Sequence, residues 1–255
     1  MKKMGKKIFL PLILIAYLVA SCTTPTASAT SAPIKSTVVP CRGKMPVEAD
    51  KFAKTLGEPI VTVPILSSLE LGVGFFIETV PGNVLLATAR HVVPLKDNCG
   101  ILFTIPGQKI LYSVSVDNFK KWSGKSDVFI VYELPPETAK EVLRFAKNGE
   151  LRIFTVSNTP GAGETVFLPV ANTAKYAELR VERDRKNGDD RIIAGFTDGY
   201  LACQGDSGSP ILETNHISIV GVLSAIESEP PYFKIVDKKD CSSRIYFTPA
   251  IPTPH

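Results

Sequence analysis

The stretch Cys203–Pro210 reads CQGDSGSP and lies just before a predicted strand that begins at Ile211. Glycine adopts backbone angles that other residues avoid, so Gly205 and Gly208 allow a sharp turn and bring bare N–H groups close to a ligand. Ser207 would stand exposed on that turn. The stretch therefore predicts a nucleophilic serine beside amides that can bind a negatively charged oxygen.

A serine hydroxyl is a weak nucleophile until a neighbouring base takes its proton, so this prediction requires a histidine. The sequence has three histidines. His255 is the last residue and His216 lies in ETNH, a predicted hairpin turn, whereas His91 follows the strand-like run LLATAR. We therefore predict that His91 is the general base.

Three short segments resemble one protein family. They are GDSGSP at 205–210, similar to the nucleophile motif of trypsin-like serine proteases, ATARH at 87–91, similar to the strand end that carries their histidine, and GVGFFI at 72–77, similar to the strand before it. Arg90 stands where animal trypsins have alanine and bacterial members often have a polar residue, so the likeness is to bacterial relatives such as the staphylococcal V8 type. The resemblance implies that Ser207 is the nucleophile and that the amides of Gly205 and Ser207 form the oxyanion hole.

The third group of such a site is a carboxylate that orients the histidine and stabilises its charged form. Asp127, in SDVFIVYEL, resembles the family's aspartate before a hydrophobic strand. Phe129 departs from the small residue that the family usually has two positions after that aspartate. Asp117 is the alternative.

Asp206 corresponds, by the same resemblance, to a carboxylate that pairs in animal trypsins with an N-terminus released by zymogen cleavage. The sequence has no segment like the Ile-Val-Gly-Gly of that cleavage site, so we expect Asp206 to have another partner. Arg152 and Arg191 are both candidates.

The resemblance also implies which residues contact the substrate. Leu201, six positions before Ser207, takes the place of the specificity-pocket floor and offers no charge to an Arg or Lys side chain. Ser224, Ala225 and Ile226 resemble the family's Ser-Trp-Gly stretch, which pairs with the substrate backbone. Because Ile226 replaces a glycine, we expect a narrowed pocket that favours small or medium apolar side chains.

Five cysteines are present. Cys203 resembles the family cysteine that closes the specificity pocket with a bridge, and Cys241 is its only downstream candidate, so the resemblance implies a disulfide between them. Cys41 and Cys99 remain as a second pair, which would tie the N-terminal segment to the loop after His91. Unpaired buried thiols are the alternative.

Residues 1–21 are typical of a secretory signal, with a lysine cluster, an apolar run and then small residues. VASC at 19–22 resembles the lipobox of bacterial lipoproteins, which implies that Cys22 is lipidated and anchors the chain to a membrane of a bacterial cell envelope, at the outer membrane or cell surface. An ordinary signal peptide cut nearby is the alternative. Residues 22–45, rich in Thr, Ser, Ala and Pro, are predicted to be a flexible tether.

The formal net charge of +4 comes entirely from lysines within the predicted signal, at positions 2, 3, 6 and 7. The processed chain would therefore have a formal net charge of zero. A basic surface of the kind that binds nucleic acid is not expected.

From Val61 onward, short runs of β-branched and aromatic residues alternate with Gly, Pro and Asn turns, which is typical of an all-β protein. The first runs lie too close together for crossover helices, which predicts antiparallel pairing. PGN at 81–83 and KNG at 186–188 are predicted hairpin turns. One helix is expected, at Pro136–Lys147, and the second strand set begins after it with LRIFTV at 151–156.

Together with the resemblance, this pattern implies two six-stranded antiparallel β-barrels of the chymotrypsin-like kind. Their predicted bounds are 46–135 for the first and 136–255 for the second, with the active site in the cleft between them.

These observations predict a serine endopeptidase that cleaves a polypeptide substrate through an acyl-enzyme. The alternative is a binding or scaffold lipoprotein that has kept the protease fold and lost activity. We expect a monomer, and we expect neither a cofactor nor a metal.

Overall fold

The computed structural model describes ten stretches of the chain: residues 54–55, 60–66, 71–93, 100–105, 111–124, 129–170, 175–183, 190–203, 205–226 and 241–251. The predictions for the signal, the tether, Cys22, Cys41, Cys99, Asp127 and the hairpin at 186–188 lie outside them. Within the described stretches no helix is long and apolar enough to cross a membrane.

The first strand set contains eight strands. They are β1 (Lys54–Thr55), β2 (Ile60–Leu66), β3 (Leu71–Val80), β4 (Asn83–Ala89), β5 (Gly100–Thr104), β6 (Leu111–Ser115), β7 (Lys120–Ser123) and β8 (Phe129–Glu133). Every pairing among them is antiparallel, which confirms the prediction. The predicted hairpin is also confirmed, because Pro81 and Gly82 form the turn between β3 and β4.

These strands close into a six-stranded barrel. β2 pairs with β3, β3 with β4 and β4 with β8. β8 pairs with β7, while β6 pairs with β5 and β5 returns to β2. A 3₁₀ turn at Val116–Asn118 separates β6 from β7, so the two act as one bent strand that completes the ring. Counted along the chain, the order of strands around the barrel is one, two, three, six, five, four.

An α-helix, α1 (Pro136–Lys147), follows the first barrel and has the predicted bounds. Proline suits the first helical position because the N–H group that it lacks would have no partner there. Ala139, Val142 and Phe145 are buried and join the core of the first barrel. The helix therefore packs on the first barrel and leads the chain toward the second.

The second strand set contains nine strands. They are β9 (Ile153–Val156), β10 (Thr165–Pro169), β11 (Tyr176–Arg183), β12 (Ile192–Phe196), β13 (Ala202–Cys203), β14 (Pro210–Leu212), β15 (Ser218–Ile226), β16 (Cys241–Ser242) and β17 (Arg244–Pro249). β10, β11, β12, β17, β15 and β14 pair in that order, and β14 returns to β10. All six pairings are antiparallel.

The second ring therefore has the same strand order as the first. Two six-stranded antiparallel barrels with this connectivity constitute the chymotrypsin-like fold, so the predicted fold class is confirmed. One hydrophobic cluster fills the first barrel and also includes Leu212, Ile219 and Val222 of the second, while another fills the rest of the second barrel. Both barrels belong to one compact unit.

One strand differs from the prediction. β9, expected to belong to the second set, lies between the barrels and pairs in parallel with β3 on one side and with β15 on the other. Parallel neighbours need a long crossover connection, and the segment that contains α1 supplies one. Phe154 of β9 is fully buried, with its ring centroid 6.1 Å from that of Phe75 in the first core. β9 thus joins the two barrels through main-chain bonds and is anchored in the first.

A histidine with an unusual environment sits beside this junction. His216, in the turn between β14 and β15, has φ of 57° and stacks on Tyr176 with ring centroids 3.8 Å apart. Arg152, just before β9, donates from Nη1 to the hydroxyl of Tyr176 (3.0 Å) and to the carbonyl of His216 (3.1 Å). His216 Nε2 is buried and has no hydrogen-bond partner among the residues that the structure describes. Burial and the nearby Arg152 charge both lower the pKa of His216.

This environment makes folding sensitive to acid. The unfolded chain takes up a proton at the ordinary histidine pKa of about 6.5, whereas the folded chain takes it up only at lower pH, so stability falls as pH drops below about 6.5. Asparagine does not titrate and tolerates positive φ. We therefore expect the part of the stability loss that comes from His216 to be absent in the variant His216→Asn. Urea unfolding of both proteins between pH 7.5 and 5 measures it. Parallel stability curves for wild type and variant would contradict the assignment.

Candidate active site

Ser207 lies in a tight turn between β13 and β14. The N–H of Asp206 donates to the carbonyl of Cys203 (3.0 Å), and the N–H and hydroxyl of Ser209 both donate to the carbonyl of Asp206 (3.1 and 2.5 Å). Within the stretches that the structure describes, the amides of Gly205 and Ser207 have no acceptor. The amides of Asp206 and Ser209 are therefore bonded within the turn, whereas those of Gly205 and Ser207 are available to a ligand.

A single peptide unit of this turn is bonded to both barrels. The carbonyl of Ser207 accepts a hydrogen bond from the N–H of Val73 on β3 of the first barrel (3.1 Å). The N–H of Gly208, in the same peptide unit, donates to the carbonyl of Leu223 on β15 of the second (2.9 Å). A peptide bond is planar, so these two bonds fix its orientation relative to both barrels.

Gly208 is required at its position for two reasons. Its φ is 88°, which side chains rarely adopt. A Cβ atom built there would lie 2.0 Å from the carbonyl oxygen of Val73 and 2.5 Å from the hydroxyl oxygen of Thr88. The turn therefore touches the first barrel through the bare Cα of Gly208.

The turn that carries His91 meets the Ser207 turn at Gly72. Residues 90–92 form one 3₁₀ turn after β4, in which Val92 is buried and His91 is partly exposed. A Cβ atom on Gly72 would lie 2.7 Å from Cγ1 of Val92 and 3.2 Å from the main-chain oxygen of Ser207. The neighbour of His91 and the main chain of Ser207 thus pack against the same glycine, which brings together two residues 116 positions apart in the sequence.

The predicted carboxylate Asp127 lies outside the described residues, but the strand that follows it is well defined. Phe129, the first residue of β8, pairs with Ala89, the last residue of β4. The fully buried Phe129 ring lies 6.1 Å from that of Phe75, so the first core accommodates the large side chain that departs from the family pattern. Asp117, the alternative, is exposed on the 3₁₀ turn between β6 and β7.

The predicted disulfide between Cys203 and Cys241 is present. It joins β13 to β16, which pair in register at these two cysteines. The Oδ2 atom of Asp206 accepts a hydrogen bond from the N–H of Cys203 (2.8 Å), so a main-chain amide beside the disulfide is a partner of this carboxylate. Sequence reasoning considered only arginines for this role and missed the amide.

The two arginines considered for Asp206 have other contacts. Arg152 bonds the His216 turn, as described above, and the guanidinium of Arg191 lies 5.0 Å from the ring centroid of Tyr246. Asp206 also influences Tyr200. Burial raises the pKa of Tyr200 to about 12, and the charges of Asp206 and Asp198 add to the rise, so this hydroxyl stays protonated at neutral pH.

The residues predicted to contact substrate occupy two segments of the second barrel. Leu201 is 49% exposed, which is unusual for a large apolar side chain. Ser224 is buried and its hydroxyl donates to the carbonyl of Tyr246 (3.1 Å). Ala225 and Ile226, at the end of β15, are partly exposed, and Ile226 packs against the second core.

Phe196 and Tyr200 also pack at the edge of the second core, with ring centroids 5.1 Å apart. They flank the segment TDG at 197–199 and lie just before Leu201 in the sequence. This pair of aromatic residues was not used to predict the candidate site from the sequence. Within the described stretches no group of three or more His, Cys, Asp or Glu side chains could hold a metal ion.

No protein-family model matches the chain, and no curated protein matches it. Solved structures to which it is similar include the serine protease neuropsin from mouse, with 12% identity, a TM-score of 0.44, and coverage of 78% of this chain and 93% of that chain. Another is the serine protease domain of the Sesbania mosaic virus polyprotein, with 15% identity, a TM-score of 0.42, and coverage of 74% and 88%.

A third is the NS6 protease from murine norovirus 1, with 14% identity, a TM-score of 0.43, and coverage of 83% and 96%. These are similarities of fold. The fold class of this chain rests on the strand order of its own two barrels.

The packing around Gly208 predicts that one added methyl group at this position strongly lowers the free energy of unfolding. Gly208→Ala and Gly82→Ala both place alanine at positive φ, which costs about 1–2 kcal/mol. Gly82 has open space around it, whereas Gly208 faces a main-chain oxygen. We expect Gly208→Ala to lose about 1–3 kcal/mol more of the free energy of unfolding than Gly82→Ala, measured by urea titration. Equal losses would contradict the packing described here.

Proposed function

We propose that this chain is a serine endopeptidase in which Ser207 is the nucleophile and His91 the general base. The observation that carries the proposal is the peptide unit between Ser207 and Gly208, which is bonded to both barrels beside the turn that holds His91. This arrangement supports a site in which Ser207, His91 and the amides of Gly205 and Ser207 act on one substrate.

In the proposed reaction, His91 takes the hydroxyl proton as Ser207 Oγ bonds to the substrate carbonyl carbon. The carbonyl oxygen becomes negative and accepts hydrogen bonds from the amides of Gly205 and Ser207. The proton then passes from His91 to the leaving amine as the C–N bond breaks, which leaves an acyl-enzyme. Water, deprotonated by His91, attacks the ester carbon, and His91 then returns the proton to Ser207 Oγ as the bond from the acyl carbon to Oγ breaks and the acid is released.

The mechanism needs a hydrogen bond from Ser207 to His91. Within the described stretches the Ser207 hydroxyl has no partner. Such bonds are often long in unliganded sites and tighten when substrate binds. We therefore infer that substrate binding completes this contact.

We propose Asp127 as the carboxylate that orients His91. The support is the register of the first barrel, in which Phe129 pairs with Ala89. Asp127 comes two positions before Phe129 in the sequence, and His91 comes two positions after Ala89. Two neighbouring antiparallel strands that meet at these residues direct both connecting segments to the same edge of the barrel. Asp117, on the turn between β6 and β7, lacks that register support.

A fluorophosphonate probe tests the site, because it reacts with an activated serine. We expect it to label wild type and Ser218→Ala but not Ser207→Ala or His91→Ala. Asp127→Asn should lower the labelling rate by about 10³-fold or more, whereas Asp117→Asn should leave it unchanged. Circular dichroism verifies that each variant is folded. A folded wild type that is not labelled would identify the chain as a protein that has kept the fold without the chemistry.

The proposed substrate preference is for small or medium apolar side chains. Leu201 and Ile226 supply apolar surface.

Replacing Ile226 tests the preference. Ile226→Gly should widen the pocket and raise kcat/KM for a peptide with Phe at the cleavage position, relative to one with Ala, by about tenfold. Ala225→Gly is the matched control, because successive residues of a strand face opposite sides. A mixed peptide library gives the ratios. An unchanged ratio in Ile226→Gly, or an equal shift in Ala225→Gly, would refute this role for Ile226.

A further inference from the structure

A buried threonine sits next to the contact between the two turns. Thr88 is fully buried on β4, three residues before His91, and its hydroxyl donates to the carbonyl of Val73 on β3 (2.8 Å). β-Strands are held by main-chain bonds, so a side-chain bond between the same two strands is additional to the barrel's own pairing. Its location calls for an explanation.

Val73 is the residue through which the first barrel holds the Ser207 turn. Its N–H donates to the Ser207 carbonyl (3.1 Å), and its carbonyl oxygen lies against the Cα of Gly208. The hydroxyl oxygen of Thr88 lies against the same Cα. Thr88 thus donates a hydrogen bond to the Val73 carbonyl and also packs directly on Gly208, the residue after Ser207.

We propose that Thr88 is a positioning residue for the nucleophile. Its hydroxyl fixes the Val73 carbonyl by a hydrogen bond, and both oxygens pack against the Cα of Gly208, so together they set the position of the Ser207–Gly208 peptide unit relative to the turn that bears His91. Thr88 is only three residues before that histidine, so one short segment locates both partners of the proton transfer. This inference rests on the proposed function, which it deepens.

The effect expected from this role is on chemistry more than on binding. Misplacement of a reacting group by about 1 Å can cost about 10²-fold in rate. A lost hydroxyl would allow the Val73 carbonyl and the Ser207 turn to shift by a fraction of that distance. Within the described stretches the Thr88 hydroxyl makes no hydrogen bond to Leu201, Ser224, Ala225 or Ile226, the residues proposed to bind substrate.

Two variants isolate the hydroxyl. Thr88→Ser and Thr88→Ala both lack the methyl group of threonine and differ only in the hydroxyl. We expect Thr88→Ser to keep kcat within about threefold of wild type. Thr88→Ala should lower kcat by about tenfold relative to Thr88→Ser, with KM unchanged within about twofold. Equal kcat in the two variants would overturn the proposal.

Hydrogen exchange supplies a readout that does not depend on catalysis. In Thr88→Ala the amides of Val73 and Gly208 should exchange faster than in Thr88→Ser, while the β11–β12 amides exchange at equal rates in both. If wild type shows no Ser207-dependent labelling, the proposed function fails, and exchange alone decides whether Thr88 holds the turn. If wild type is labelled and the two variants match in both rate and exchange, only the role of Thr88 fails.

Discussion

The peptide unit between Ser207 and Gly208 is the constraint on which the site depends. Its carbonyl is bonded to the first barrel and its N–H to the second. Each bond contributes only about 1 kcal/mol to stability. Their importance is geometric, because a rigid planar group bonded to both barrels fixes the serine relative to residues of the first barrel. Gly208 permits the contact, since any side chain would strike the Val73 carbonyl.

β9 complements this constraint from another part of the junction. It is paired in parallel with a strand of each barrel, and Phe154 anchors it in the first core. The His216 turn packs next to it, held by Arg152 and Tyr176. The relative position of the barrels therefore depends on main-chain pairing at β9 as well as on the peptide at Ser207. His216, whose Nε2 is buried and has no hydrogen-bond partner among the described residues, lies at this second attachment. Its lowered pKa makes the stability of the folded chain depend on pH.

Most of the fold could be predicted from the sequence because it follows from local patterns. Alternating β-branched runs predicted the strands, Pro136 and the apolar positions of α1 predicted the helix, and close spacing predicted antiparallel pairing. The location of β9 could not be predicted in this way. Its run of apolar residues fits a strand in either barrel, and only tertiary packing selects the partners on its two sides. The helix before it was the one available signal for a parallel crossover.

The candidate site, like the fold, could be predicted only in part from the sequence. Chemical necessity and motif resemblance predicted Ser207 and His91 as site residues. The contacts of Gly72, Val73 and Thr88 could not be predicted, because they depend on the docking of two distant segments, which no spacing in the sequence specifies. Asp206 shows the reverse case. Analogy suggested a charged partner, yet its main-chain N–H donates to the Cys203 carbonyl and its carboxylate accepts from the Cys203 N–H. These bonds close a small ring next to the Cys203–Cys241 disulfide. Local main-chain bonds thus help to shape the turn that carries Ser207.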